Sequence, residues 1–217
     1  MRTHRFMGVE LEIAPGALIP REETELLGRT ALELLAALDH APRVIDMCCG
    51  SGNLACAIAV ARPDARVWGC DLTEETVDLA RRNVVRLGLT DRVVIARGDL
   101  FAALDGLDLD GVDLVVANPP YISTARLEGE SAHLLENEPR EAFDGGPYGI
   151  ALHQRLVREA APRLVPGGRL AFEFGEGQER QVAALLTRAR IWEPVDWRHD
   201  PAGRPRVAVV RRPIEAP

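Results

Sequence analysis

From Arg43 onward the chain alternates short apolar runs with segments of helical period, and this alternation limits the fold more than any other feature. Val44-Ile45 reads as a strand and residues 53–61 as a helix. Residues 65–70 form the next expected strand, and 74–87 a helix closed by Gly88. Further strands are expected over 92–96 and 112–117. A helix over 150–164 is expected to end at Pro166-Gly167-Gly168, followed by a strand over 169–174 and a helix over 177–190. Two last strands flank the turn Asp200-Pro201-Ala202-Gly203 and end near Val210. Repeated βα units with apolar strands require a mostly parallel sheet with helices on both faces. The last two strands are joined too closely for a crossover helix, so that pair is antiparallel. The reading is an α/β fold with a seven-stranded sheet and an antiparallel C-terminal hairpin. Ligands of such sheets bind beyond the C-terminal ends of the strands.

Ahead of the sheet, Phe6, Met7, Val9, Leu11 and Ile13 suggest a small hairpin or edge strand ending at Pro15-Gly16. The segment from Leu18 to Glu25 leads into an amphipathic helix reaching about Leu38. Pro20 suits its first turn, and the acidic run suits the positive end of its dipole. Residues 1–40 thus form a leader and helix packing on the core, 41–212 the main domain, and 213–217 a frayed tail.

Composition narrows the function. The chain has 217 residues, 47% hydrophobic and 27% charged, enough for one α/β domain with a sizeable core. A net charge of -7 disfavours binding to a polyanion through counterion release. All 26 basic residues are arginine, which we attribute to coding bias in a GC-rich genome. The lack of lysine excludes Schiff-base and P-loop chemistry. Cys48, Cys49, Cys56 and Cys70 have no zinc-finger spacing and read as buried, reduced thiols of a cytoplasmic protein. The five histidines form no metal pattern, so no metal is expected, and no apolar run reaches the roughly 18 residues of a membrane span.

The strand ends carry the chemistry. The first runs into Asp46-Met47-Cys48-Cys49-Gly50-Ser51-Gly52-Asn53, where two glycines allow a sharp turn and close approach to a ligand. The second ends at Asp71-Leu72, and an acid about 20 residues beyond a glycine turn is placed to take ribose hydroxyls. The third ends in Gly98-Asp99-Leu100, where Asp99 can accept from an adenine amino group and Leu100 can lie on the ring face. This much fits NAD or S-adenosylmethionine equally. The fourth ends in Asn118-Pro119-Pro120-Tyr121. Two prolines fix φ at consecutive positions and force Asn118 into extended geometry, so its carboxamide is held still beside an aromatic ring. That arrangement suits gripping a planar nitrogen group and tips the choice to a methyltransferase.

At these residues the chain resembles the class I S-adenosylmethionine-dependent methyltransferases of Rossmann-like fold. More narrowly it resembles the HemK-like protein-(glutamine-N5) methyltransferases that modify peptide-chain release factors. The resemblance runs from Phe6 to Val210. It includes Leu18-Ile19-Pro20-Arg21-x-Glu23-Thr24-Glu25, Asp46-x-x-x-Gly50-Ser51-Gly52, Asn118 to Ile122 and Glu138-Pro139. It continues through Asp144-Gly145-Gly146, Pro166-Gly167-Gly168, Glu173-x-Gly175-x-x-Gln178 and Asp200-x-x-Gly203-x-x-Arg206.

The resemblance implies a methyltransferase domain over 41–212 and S-adenosylmethionine as methyl donor, with S-adenosylhomocysteine as product. It implies cofactor contacts from Asp46, Cys48, Cys49, Gly50, Ser51, Gly52, Asp71, Leu72, Asp99, Leu100 and Asn118. Asn118, Pro119, Pro120 and Tyr121 bind the substrate: Asn118 and the Pro119 carbonyl accept from the target amide, and Tyr121 shapes the slot. Asn118, Pro119 and Tyr121 are the expected catalytic set. The sequence departs from the family at Cys48, where glycine is usual, at Cys49, usually a small polar residue, and at Glu22, where proline is common. The family's N-terminal helical substrate domain is not expected in this chain.

The leading expectation is N-methylation of a protein glutamine side chain. The close alternative is a stand-alone enzyme acting on an amide or amine of a small molecule in secondary metabolism. A nucleic-acid base methyltransferase or a non-catalytic cofactor-binding protein ranks lower. Arg21, Glu23 and Glu25 either line the active-site lip or, as a charged first helical turn more often does, face solvent. Glu138-Pro139 either borders the substrate slot or ends a loop, and Glu173 and Gln178 read as packing or capping residues.

Overall fold

The leader closes as an antiparallel hairpin of β1 (Arg2–Phe6) and β2 (Val9–Ile13), turning at Met7-Gly8. Both turn residues have positive φ, 46° and 82°, which matches the right-handed twist of the flanking strands. In this computed structural model residues 2–107, 109, 111–136 and 138–214 are described. The last residues of the expected tail, 215–217, lie outside them.

After α1 (Thr24–Ala36) come β3 (Arg43–Met47), α2 (Asn53–Ala61), β4 (Arg66–Asp71), α3 (Glu74–Arg86) and β5 (Val93–Arg97). Then follow β6 (Val112–Ala117), the short α4 (Thr124–Glu128), α5 (Ala151–Ala160), β7 (Leu164–Glu173) and α6 (Glu179–Ala189). The chain ends with β8 (Asp196–His199) and β9 (Pro205–Arg211). The seven-stranded sheet has the order β5-β4-β3-β6-β7-β9-β8, with β9 antiparallel to both neighbours. The expected architecture is therefore observed.

Alternate side chains of each strand enter opposite faces. Val44 and Leu114 join a core with Leu27, Leu35, Leu54 and Val84 from α1, α2 and α3, and with Phe6 and Leu11 of the hairpin. Ile45 and Val115 join the other core, with Leu156 and Val157 of α5 and Val182 and Leu186 of α6. The leader thus shares a core with the sheet.

Three boundaries differ from expectation. The helix expected over 150–164 stops at Ala160 and continues as a 3-10 turn, Ala161–Arg163. Pro162 lacks the N–H an α-helix would require there. Pro166-Gly167-Gly168 therefore lies inside β7 rather than before it. β7 bulges at this point: Val112 pairs with Leu164, but Leu114 pairs with Arg169. Gly167 takes a φ of 81°, and a Cβ on Gly168 would sit 2.9 Å from the Val165 carbonyl oxygen. The third difference is at α1, which begins at Thr24, so Pro20 precedes the first turn instead of occupying it. Residues 18–21 stay irregular.

Gly98 sits where β5 turns back to the sheet, its N–H donating to the Asp71 carbonyl over 2.9 Å. A Cβ there would lie 2.6 Å from Ala103 Cα, a backbone atom with no free direction to yield. Gly98→Ala is expected to destabilise the protein by about 1–3 kcal/mol, an overpacking cost. Urea unfolding at unchanged m-value measures it.

Candidate active site

The sheet reverses its winding between β3 and β6, and register brings four strand ends together there. Met47 pairs with Cys70 of β4 and with Ala117 of β6, and Ala117 pairs with Phe172 of β7. The residues one step on are Asp71, Cys48, Asn118 and Glu173. They emerge as a row along the crevice.

Two cavities meet on this row. The first is lined by Cys48, Gly50, Asp71, Leu72, Asp99, Leu100, Asn118 and Pro120 among the expected residues, together with Leu18, Arg21 and Thr24. The second is lined by Asn118, Pro119, Pro120 and Tyr121, with Glu23, Phe143, Glu173 and Arg206. Asn118 and Pro120 border both. Of the expected cofactor residues, Asp46, Cys49, Ser51 and Gly52 do not line either cavity. Asp46, Cys49 and Ser51 are buried behind the wall. Gly52 has an αL backbone, and a Cβ on it would press on Ala80 at 3.2 Å.

The wall of the first cavity is held by carboxylates. Asp71 Oδ2 accepts from the Gly50 N–H at 2.8 Å; its Oδ1 accepts from the Leu72 N–H and the Thr76 hydroxyl, each at 2.8 Å. This ties the glycine turn to the start of α3. Asp99 accepts from Arg155 Nη1 with both oxygens, at 2.8 and 3.0 Å. Asp46 accepts from the Ala55 N–H at 2.9 Å through Oδ2, while Oδ1 has no partner among the described residues. Burial pushes the Asp46 carboxyl up to about 8, against the Ala55 hydrogen bond. Cys48 is only partly buried at the cavity, where a buried thiol was expected, and holds a φ of 59°. Cys49, Cys56 and Cys70 are buried, and their burial pushes each thiol up, so they stay protonated at neutral pH.

The second cavity is rich in acceptors. Asn118 donates through Nδ2 to Thr24 Oγ1 at 3.0 Å, which turns its oxygen away from Thr24 and leaves it for a ligand. The Tyr121 hydroxyl donates to Glu173 Oε1 at 3.1 Å. Gln178 Nε2 donates to the Tyr121 carbonyl at 2.9 Å, and its oxygen accepts from the Gly175 N–H at 2.8 Å. Glu173 is 2% exposed and 3.8 Å from Arg206. Burial raises its pKa, while the Thr24 hydroxyl, Arg206 and Tyr121 pull it down. Behind it, the His153 ring is fully buried and pushed down to about 4, hence neutral at pH 7; its Nε2–H donates to the Glu173 carbonyl at 2.9 Å.

Several residues thus have larger roles than their sequence suggested. Arg21 and Glu23 line the second cavity, the lip position that the sequence allowed, while Glu23 also stays exposed to solvent. Arg21 pairs with Glu138, whose other oxygen accepts from the Ile19 N–H at 2.8 Å, so residues 18–21 and the 138–142 segment close on each other. Glu25 accepts from the Met7 N–H at 3.2 Å. Glu173, Gln178, Arg206 and Thr24 were outside the expected set. The signal that could have found Glu173 is register: it is the β7 counterpart of Asn118.

The architecture agrees with known relatives. Residues 28–146 match the family model of the methyltransferase small domain. The release factor glutamine methyltransferase of Bradyrhizobium diazoefficiens is 37% identical over 97% of this chain and 70% of its own length. The protein-(glutamine-N5) methyltransferase (release factor-specific) of Alicyclobacillus acidocaldarius superposes with a TM-score of 0.54 at 25% identity, covering 94% of this chain and 99% of that one. An RNA methyltransferase from Salinibacter ruber, in complex with S-adenosyl-L-homocysteine, shares the fold: TM-score 0.57, 20% identity, 92% of this chain and 97% of that one.

Asp46 yields a stability prediction for the ligand-free protein. The unfolded chain gives up this proton near the ordinary value of 3.8, whereas the folded protein keeps it to about 8. Between those values the folded state binds more protons, so stability falls as pH rises, by up to about 1.4 kcal/mol per pH unit. Thermal melts across this range should show that slope, and Asp46→Asn should flatten it.

Proposed function

The chain belongs to the release factor glutamine methyltransferases, and on that premise we propose that it methylates the side-chain amide nitrogen of a release-factor glutamine, with S-adenosylmethionine as donor. The observation that carries this reading is Asn118. Its carboxamide stands where the two cavities meet, its NH₂ tied to Thr24 and its oxygen free to accept.

The first cavity fits the donor. Gly50 has a φ of 54°, and open space stands where a Cβ would be, so backbone can lie against the methionine part. Asp71, rigidly held, keeps lone pairs for the ribose hydroxyls. Leu72 and Leu100 offer apolar faces to the adenine, and Asp99 an acceptor for its amino group. Asp46, buried behind the glycine turn, braces it through the Ala55 N–H.

S-adenosylmethionine, when bound, supplies a methyl group made electrophilic by the sulfonium. The remaining work falls to the chain. An amide nitrogen is a poor nucleophile because its lone pair is delocalised. Asn118 Oδ1 and the Pro119 carbonyl accept its two N–H bonds, which localises the lone pair and turns it toward the first cavity. Pro119 and Pro120 keep these acceptors from shifting, and Tyr121 walls the slot, itself held by Glu173 and Gln178. Such a site works by alignment and fixed dipoles. A glutamate side chain in the same slot would meet acceptors and the Glu173 charge, so the pocket favours an amide.

Incubation with S-adenosylmethionine and a release-factor peptide bearing Gly-Gly-Gln should add one methyl group to that glutamine by mass spectrometry. No transfer at high enzyme concentration would overturn the assignment. Asn118→Ala should lower kcat by about 10²–10³, as loss of a preorganised dipole does. Asp71→Ala should weaken donor binding by about 1.5–3 kcal/mol in calorimetry, the worth of hydrogen bonds to a charged group.

A further inference from the structure

Asn118 can serve as an acceptor only if its amide faces one way. A carboxamide flipped about its last torsion presents NH₂ where oxygen stood, with almost the same shape. Flipped, it would meet the substrate N–H bonds with its own and repel them. The proline pair fixes the backbone of Asn118 but does not distinguish oxygen from nitrogen at the end of its side chain.

The group that does so is on α1. Asn118 Nδ2 lies 3.0 Å from Thr24 Oγ1. A hydroxyl can donate or accept, so this contact alone permits either amide orientation. Thr24 is 2% exposed, out of reach of bulk water, so its proton needs a protein acceptor. α1 packs against both β6 and β7, and the β7 residue beside Asn118 in the row is Glu173. Glu173 Oε1 takes the Tyr121 proton, while Oε2 is buried and has no hydrogen-bond partner among the described residues. Burial raises the pKa of this carboxyl, and the Thr24 hydroxyl, Arg206 and Tyr121 act against that.

We propose that Thr24 and Glu173 are positioning residues that fix the Asn118 carboxamide, with the Thr24 proton directed at the Glu173 carboxylate and the Thr24 oxygen left able only to accept. Ionised, Glu173 has no proton to give, and the direction of the chain is then set there. It runs from Asn118 NH₂ to the Thr24 oxygen and from the Thr24 proton to Glu173. The outcome is that Asn118 Oδ1 faces the slot. Arg206, 3.8 Å from Glu173, supports the charge that sets this direction.

The inference rests on the methyl-transfer reading, and the test separates the two. Thr24→Val keeps the shape of the side chain and removes its hydroxyl; Thr24→Ser keeps the hydroxyl. With S-adenosylmethionine and the Gly-Gly-Gln peptide, Thr24→Val should lower kcat by about tenfold to a hundredfold, the worth of one hydrogen bond to a charged group. Thr24→Ser should recover most of the rate. The side-chain amide resonances of Asn118, identified by their loss in Asn118→Ala, should shift in Thr24→Val and return in Thr24→Ser. That second readout needs no turnover, so it tests the relay even if the peptide is not a substrate. Thr24→Val with wild-type kcat, or with unmoved Asn118 amide resonances, overturns the proposal. So does a Thr24→Ser variant as slow as Thr24→Val. In a double-mutant cycle, Glu173→Gln should cost less rate once Thr24 is valine than it does in the wild type, the remainder being its hold on Tyr121. Full additivity there also overturns it.

Discussion

The parallel pairing of β3 with β6, and of β6 with β7, is the constraint on which the rest depends. A strand's side chains alternate with a period of two, so a slip of one residue would turn each one to the opposite face. The core on both faces forbids that slip: Val44 and Leu114 must enter one layer while Ile45 and Val115 enter the other. With Met47 opposite Ala117 and Ala117 opposite Phe172, the ends at Cys48, Asn118 and Glu173 align. The hydrophobic effect that fills the two layers therefore also sets the spacing of the polar groups in the crevice.

Those polar groups divide into two electrostatic environments. Around the first cavity the carboxylates act as braces. Asp71 draws the glycine turn and the start of α3 onto one side chain, and Arg155 holds Asp99 from α5. Asp46 is the exception, a fully buried carboxyl with one oxygen unmatched, and the protein tolerates it by retaining the proton to about pH 8. Around the second cavity one buried carboxylate, Glu173, meets Tyr121 and Arg206. The carboxyl thus stands where it can orient hydroxyl groups.

The irregular segments supply the cover. Residues 18–21 stay outside α1 and carry Leu18 and Arg21 over the junction of the two cavities. Arg21 reaches Glu138 on the opposite lip, and Glu138 in turn accepts from the Ile19 N–H. The lip is thus fastened by an ion pair whose carboxylate is mostly buried, a firmer link than a solvated pair on the surface. Gln178 fastens the floor in the same way, holding the Tyr121 carbonyl from the start of α6.

The sequence by itself determined the layers, the order of strands and helices, the antiparallel end and the glycine and proline turns. Each follows from local chemistry: hydrophobic period, the fixed φ of proline and the freedom of glycine. It also located Asp71, Asp99 and Asn118, because an acid or amide at the tip of a buried strand has few places to point. It misplaced the end of the helix before β7, because Pro162 stops an α-helix two residues before the strand begins and the Pro-Gly-Gly run is absorbed as a bulge. Thr24, Glu173 and Arg206 stood in its motifs without a place in the site, and Arg21 and Glu23 were left between the lip and a solvated turn. Those residues come from α1, β7, β9 and the segment before α1, far apart in the chain. Their roles arise only when strand register and helix packing bring them to one point, and neither is encoded in a local pattern. The orientation of the Asn118 amide belongs to this second kind of fact, since it depends on the Thr24 hydroxyl beside it.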